Sequence, residues 1–325
     1  MACGKLPAGC AGRGQTCCMV SRDQLPEHLA ARSFTFREGI AGGASVSRLR
    51  AKDLGIPSRE IRVPRSQPQK LLDRVRPYTE LSPGSCLSHV TAAQLHGLPL
   101  PWFDDEIVTV HLTRPAGSRQ SRRRHVTGHS RHLPAEDIMP MDGVPVTTPA
   151  RTFLDLATIL TLDQLVAVAD FLICEHDRPF EAPKVAIVPA ATLRSYVEGK
   201  HHLRGLAKAR AAVELMRVGV DSPPETRLRL ILQRAGLPVF LTNYAIPGDP
   251  EVWPDLACEE YKTCSEYEGE IHKTTQKQLF DRTRDQRTAD RGWLQLKVYK
   301  ADMQRGEDYV VEMFRKALRR QGWNG

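Results

Sequence analysis

EVWPDLACEEYKTCSEYEG, residues 251–269, decides how the C-terminal third of this chain is read. EVWPDLAC and TCSEYEG each have the alternation of a strand, joined by a short polar turn at Glu259–Lys262. Side chains alternate across a strand, so Cys264, Glu266 and Glu268 share one face, and Ser265 and Tyr267 the other. Asp255 follows Pro254 directly and precedes Glu266 by eleven residues, a spacing at which a tight hairpin brings both acids to one end of a sheet. Carboxylates aimed at one point repel one another unless a cation sits among them. A hard divalent ion such as Mg²⁺ or Mn²⁺ takes oxygen ligands and activates a water or stabilises a phosphoryl oxygen. Gly269 allows close backbone approach to a bulky substrate, and SEYEGEIH carries the reading on to His272. Taken alone, the x-E-x-E-G spacing is equally that of a solvated strand face.

Outward from this stretch the elements fall in a definite order. Ser222-Pro223-Pro224-Glu225 is a strong helix start: Ser222 caps, Pro223 takes the first position, and Glu225 has capping-box spacing. The helix stops at Gly236-Leu237-Pro238, VFLTNYAI alternates as a strand, and Pro247–Pro250 turns the chain. After the two central strands come a helix, QKQLFDRTRDQRTADR, a strand, WLQLKVY, and an amphipathic helix, DYVVEMFRKALRR. The order is αβββαβα. The polar run Thr263-Cys264-Ser265 predicts weak burial of its strand, and the helix over 277–291 has few apolar positions with which to pack.

The front of the chain is organised differently. Residues 1–30 have no strand or helix pattern and predict a disordered head, and Met19 begins a more ordinary sequence, so an upstream mis-start is one reading. Over 31–75, Thr35 and Glu38 have capping-box spacing, Gly42-Gly43 is a turn, and Ser45 caps a short helix carrying Arg48, Arg50 and Lys52. EIRV then forms a small ribbon. Helix, glycine turn, basic helix and ribbon is the order of a winged helix-turn-helix, with a small helical cap as the alternative. Residues 76–218 predict a mixed α/β middle domain. HVTAAQLHGL, ARTFLDLA and LDQLVAVADFLI read as helices, and EIVTVHLTR and HVTGHSRHL as strands. His125, His129 and His132 do not share one strand face, so they predict no ligand cluster. Pro179, Pro183, Pro189 and Gly199 predict an irregular crossing over 176–200, and DSPPE places a domain boundary near 218–222.

Composition bounds the class. The 325 residues are 41% hydrophobic and 26% charged, an ordinary globular balance, with no apolar run of membrane-spanning length. The opening residues have one lysine and no apolar segment of signal-peptide length, so a cytoplasmic location is expected. A net charge of +8 favours a polyanionic partner. The Arg122-Arg123-Arg124 run reads as a solvated loop, and the eight cysteines lack a C-x-x-C pair, which argues against a zinc ribbon.

With αβββαβ order, Glu225 in the first helix, Pro254-Asp255, and Glu266-Tyr267-Glu268-Gly269, residues 221–320 resemble the PD-(D/E)XK nucleases. They look closest to the actinobacterial proteins related to very-short-patch-repair endonucleases, a likeness that extends through Glu260-Tyr261-Lys262, His272, Asp281 and Gly292-Trp293. RLRAKDLGIPSREIRVP resembles the N-terminal winged helix of the abortive-infection antitoxins of type IV toxin–antitoxin systems, with CLSHVTAAQLHGLPLP and VPVTTPARTFLDLA as companion segments. The resemblance implies an α/β (α+β overall) chain with a restriction-endonuclease-like core over 219–325. Implied too are Asp255 and Glu266 as acids binding Mg²⁺ or Mn²⁺, and Glu225 as a helix acid supporting the metal. Glu268 stands where that family carries lysine, as a third ligand or general base, and His272 is placed to polarise the phosphate or protonate the leaving oxygen. Arg48, Arg50 and Lys52 are the implied DNA contacts. Two functions follow: an Mg²⁺-dependent endodeoxyribonuclease, or a non-cleaving antitoxin-like transcriptional regulator with a cognate toxin as partner.

Overall fold

The computed structural model describes residues 24–65, 68–101, 109–269 and 275–325, with 275–281 as backbone. The chain mixes helices with three sheets, an α+β protein, and divides into two compact units, Met1–Leu81 and Ser82–Gly325. No helix among the described residues is long and apolar enough to cross a membrane.

In the first unit the chain runs α1 (Glu27–Ala30), β1 (Phe34–Thr35), α2 (Phe36–Ala41), a 3-10 turn (Arg48–Arg50), β2 (Leu54–Gly55), β3 (Ile61–Pro64) and α3 (Leu71–Glu80). The strands form an antiparallel sheet in the order β1-β3-β2. The capping box is present: Thr35 Oγ1 accepts from the Glu38 amide at 3.1 Å, and the Glu38 carboxylate accepts from the Thr35 amide at 3.3 Å. Leu29, Phe34, Leu49 and Leu54 make the core. Gly39 packs closely there: a Cβ would lie 2.8 Å from the end of the Leu49 side chain, so a larger residue would make Leu49 shift. Two expectations change. The head reached residue 30, whereas Glu27–Ala30 is helical with Leu29 fully buried; residues 1–23 lie outside the described residues. The basic helix reduces to one 3-10 turn, because β2 begins at Leu54 and leaves no room for another turn. Arg62 ties that turn to the sheet, donating from Nε to Leu49 O at 2.6 Å and from a terminal nitrogen to Ile61 O at 3.0 Å.

The second unit begins with β4 (Cys86–Leu87), α4 (His89–Leu95), β5 (Val110–Pro115), β6 (Val126–Arg131), β7 (Ile138–Met141) and β8 (Val144–Thr147). These strands form a sheet in the order β6-β5-β4-β8-β7, in which β5 pairs β6 in parallel. The arginine triplet lies in the loop between β5 and β6, with Arg122 and Arg124 exposed, as expected. Helices α5 (Pro149–Leu156), α6 (Leu162–Ile173), α7 (Ala190–Glu198) and α8 (Leu206–Leu215) follow and bury a large apolar cluster around Phe153, Leu165 and Leu193. The Thr148 and Thr161 side chains cap α5 and α6. The crossing over 176–200 is less irregular than its prolines suggest: Pro189 caps α7, where its missing N–H costs nothing.

The chain ends with α9 (Pro223–Arg234), β9 (Leu256–Cys258), β10 (Thr263–Glu268), α10 (Thr275–Asp290), β11 (Leu294–Tyr299), α11 (Lys300–Gln304) and α12 (Glu307–Arg320). The sheet order is β11-β10-β9, with β10 antiparallel to β9 and parallel to β11 across α10. Leu256, Cys258 and Val298 face a core shared with α9 and α12, whereas Cys264 joins Val252, Ala257 and Trp293. Thr263, Cys264 and Ser265 are fully buried, which overturns the expected weak burial. Their small side chains fit a strand flanked on both sides. The strand expected over 239–246 is a single bridge, Leu241 to Ala257, because Asn243 takes a φ of 52° and turns the chain off the sheet edge.

The boundary expected near 218–222 is crossed by buried structure. Helix α9 places Leu230 in the α5–α8 core and Leu228, Ile231 and Leu232 in the sheet core. Asp170 of α6 accepts from Arg229 and from Thr226 of α9, each at 2.8 Å and almost fully buried. Residues 82–325 are therefore one unit.

Candidate functional site

Two groups of residues were expected to act, and the structure treats them differently. In the first unit, Ser45 Oγ accepts from the Arg48 amide at 3.1 Å and starts the 3-10 turn. Arg48 then closes a two-point pair with Asp53, at 2.9 and 2.6 Å, which also holds the Asp53 carboxyl below its usual range. Its guanidinium is thus committed within the unit, and Arg48 stabilises the turn instead of presenting a free charge. Arg50 and Lys52 are exposed and form no ion pair among the described residues. Arg37, Arg59 and Arg65 are exposed in the same unit.

The acids of the second unit come from three elements. Glu225 sits in the first turn of α9, its carboxylate accepting from the Asp221 amide at 2.9 Å and from the Ser222 hydroxyl at 2.6 Å. Asp255 lies one residue before β9, and continuing the register of β9 with β10 sets it opposite Glu266. Its carboxylate accepts from the Tyr267 amide at 2.7 Å. Burial pushes all three carboxyls up, Glu266 to about 6, and each faces a further acid: Asp255 beside Glu225, Glu266 beside Asp255, and Asp285 and Glu268 beside Glu266. Glu268 is half-buried, one strand period beyond Glu266.

Cations of the chain itself enter this acidic region. Arg284 of α10 donates to the Glu266 carboxylate, and Lys297, aligned with Glu266 across the β10–β11 ladder, pairs with Asp285. Helix α10 is held further by Arg287, which bridges Asp249 and Glu251. Ion pairs thus replace the apolar contacts that its sequence lacks. With Glu266 turned to Arg284, the three acids do not bring one oxygen each within 4.8 Å of one another. The donor set suits a hard cation, but Arg284 holds the charge-neutralising position. His272 lies outside the described residues, as does the side chain of Asp281.

The buried charges of the helices are absent from any motif. Arg151 bridges Asp155 at 3.0 Å and Asp137 at 2.8 Å, and Asp170 holds Arg229. His125 and His132 do not join His129, which meets two histidines from elsewhere in the chain. Asp142-Gly143, with φ of 47° and 79° between β7 and β8, is a hairpin turn that the dipeptide itself signals.

A family model described as the AbiEi antitoxin C-terminal domain matches residues 84–179, the segment from β4 through α6. No curated protein and no solved structure matches the chain.

Proposed function

We propose that the chain is a DNA-binding regulator of the antitoxin kind, partnered by a cognate toxin. The similarity of residues 84–179 to the antitoxin C-terminal domain carries this reading. The net charge of +8 and the exposed Arg50 and Lys52 beside the short β2–β3 ribbon agree with it. Phosphate contacts supply salt-sensitive affinity, and base contacts from the ribbon and turn supply selectivity. The test is fluorescence anisotropy of the full chain on DNA from upstream of its own coding region, titrated with salt and set against scrambled DNA. Selective binding that weakens steeply with salt supports the reading. Equal weak binding to both DNAs sinks it.

A second reading rests on the acids. Glu225 and Glu266 are buried, Asp255 is half-buried, and the three repel one another at one end of the β9–β11 sheet, the condition a divalent cation relieves. In that reading Asp255 and Glu266 hold Mg²⁺ or Mn²⁺ with Glu225 in support, and Glu268 or His272 handles the proton of the attacking water. The bound ion would supply Lewis-acid stabilisation at a phosphodiester. Arg284 has to leave Glu266 first. Metal-dependent nicking of DNA by the wild type, abolished in Asp255→Ala while DNA binding persists, is the expected result. Intact DNA across both metals and a range of salt removes the reading.

A further inference from the structure

We propose that His89, His111 and His129 form a binding site for a divalent transition-metal ion with the coordination preference of Zn²⁺. The three come from different elements: the first turn of α4, strand β5 and strand β6. One nitrogen from each lies within 4.8 Å of the others. His111 Nδ1 and His129 Nε2 are 3.1 Å apart. Two imidazole nitrogens on one tetrahedral zinc, each about 2.0–2.1 Å from it, lie about 3.3 Å apart, so this spacing is already that of two ligands.

His89 supplies the independent observation. It is fully buried, and its Nε2 has no hydrogen-bond partner. A buried polar atom left without a partner is destabilising, and a bound cation removes that cost. The other ring nitrogen is supported as a metal-ligating histidine requires: Nδ1 lies 3.0 Å from Ser88 Oγ and 3.8 Å from the Asp155 carboxylate. Ser88 Oγ in turn accepts from the Thr113 hydroxyl at 2.7 Å. With Nδ1–H turned to Ser88 and Asp155, the Nε2 lone pair is free to ligate. The free carboxylate oxygen of Asp155 is itself without a hydrogen-bond partner.

The surroundings fit a neutral donor set. The His89 ring stacks on His129 with centroids 3.6 Å apart and planes 10° from parallel, an arrangement two imidazolium ions would resist; because a ligated ion lies near the plane of each imidazole, one of the two rings turns out of this stack when they share it. Burial holds all three neutral at physiological pH, His111 and His129 down to about 4 and His89 lower still. Arg131 and Arg151 add positive charge nearby, and Asp155 and Asp137 offset it. His111 and His129 are half-buried, so an ion has a way in. Three imidazoles leave a fourth position for water. The ion would join α4 to the edge strand β6 and its neighbour β5, and all three lie within the segment matched by the antitoxin family model.

The full chain, freed of any affinity tag and stripped with chelator, is titrated with Co²⁺ and then Zn²⁺, read by visible absorption and thermal unfolding. The wild type is expected to bind one ion with the absorption of tetrahedral cobalt and to unfold at higher temperature when loaded. His111→Ala and His129→Phe are expected to lose affinity by tenfold or more. The phenylalanine keeps an aromatic ring over His89, and near-ultraviolet circular dichroism checks that the fold persists. The exposed neighbours His201 and His202 serve as the control for adventitious binding. No cobalt spectrum in the wild type, unchanged affinity in His129→Phe, or loss of binding on replacing His201 and His202 instead would each overturn the site and leave a hydrogen-bonded histidine cluster.

Discussion

Arg284 of α10 donates to the carboxylate of Glu266 in β10, so a side chain of the protein neutralises the acid that a divalent cation would need. Replacing Arg284 with Met keeps the aliphatic stem and removes the charge. If the acids form a cation site, Mg²⁺ affinity measured by calorimetry should rise at least tenfold in Arg284→Met. Unchanged or weaker affinity would mark Arg284 and Glu266 as a purely structural pair.

The raised carboxyls set a pH dependence. Glu266, with a folded value of about 6 against an unfolded value of about 4, takes up a proton on folding between those values, as do Asp255 and Glu225. Their contribution is fully present below about pH 4 and is lost as pH rises through the folded values. Asp255→Asn should flatten the decline in urea-unfolding free energy between pH 4.5 and 7.5. An equally steep decline in the variant would place its source elsewhere.

The buried pair Asp170 and Arg229 joins α6 to α9. Asp170→Ala strands the guanidinium without its partner and should cost about 3–5 kcal/mol in chemical denaturation. The double replacement Asp170→Leu with Arg229→Leu removes both charges and should recover most of that loss. A loss below about 1 kcal/mol in the single variant would contradict the pairing as described.

In the first unit the arginines separate by role. Arg50→Ala with Lys52→Ala should weaken DNA binding and reduce the salt slope by about 0.9 for each phosphate no longer neutralised. Arg48→Ala should instead destabilise the unit, because its charge is spent on Asp53. Equal salt slopes in wild type and the double variant would remove these two side chains from the DNA interface.

Thr35→Ala removes the cap of α2 and should lower the stability of the first unit by about 1 kcal/mol, read by hydrogen exchange of α2 amides. Unaltered exchange protection would show that packing of Phe34 and Leu49 holds the helix without its cap.

Local signals were legible where one interaction within a few residues decides the outcome. The capping box at Thr35, the proline start at Ser222 and a strand over Thr263–Glu268 reappear as read. Hairpin spacing alone set Asp255 near Glu266. Signals failed where distant packing decides. The 3-10 turn at Arg48–Arg50 is cut short by the strand that follows it, and the strand expected over 239–246 is lost at the sheet edge.

By itself the sequence determined the helix at Ser222, the strands ending in LAC and TCSEYE, the helix and strand that follow them, and the acids that face one side of β10. These follow from backbone periodicity and hydrogen bonds spanning three or four residues. Only the tertiary structure decided which charges meet. Arg284 reaches Glu266 across 18 residues, Arg229 reaches Asp170 across 59, and His89, His111 and His129 assemble from three elements. Such meetings depend on how helices and strands pack, and the identities of the residues between the partners do not encode them.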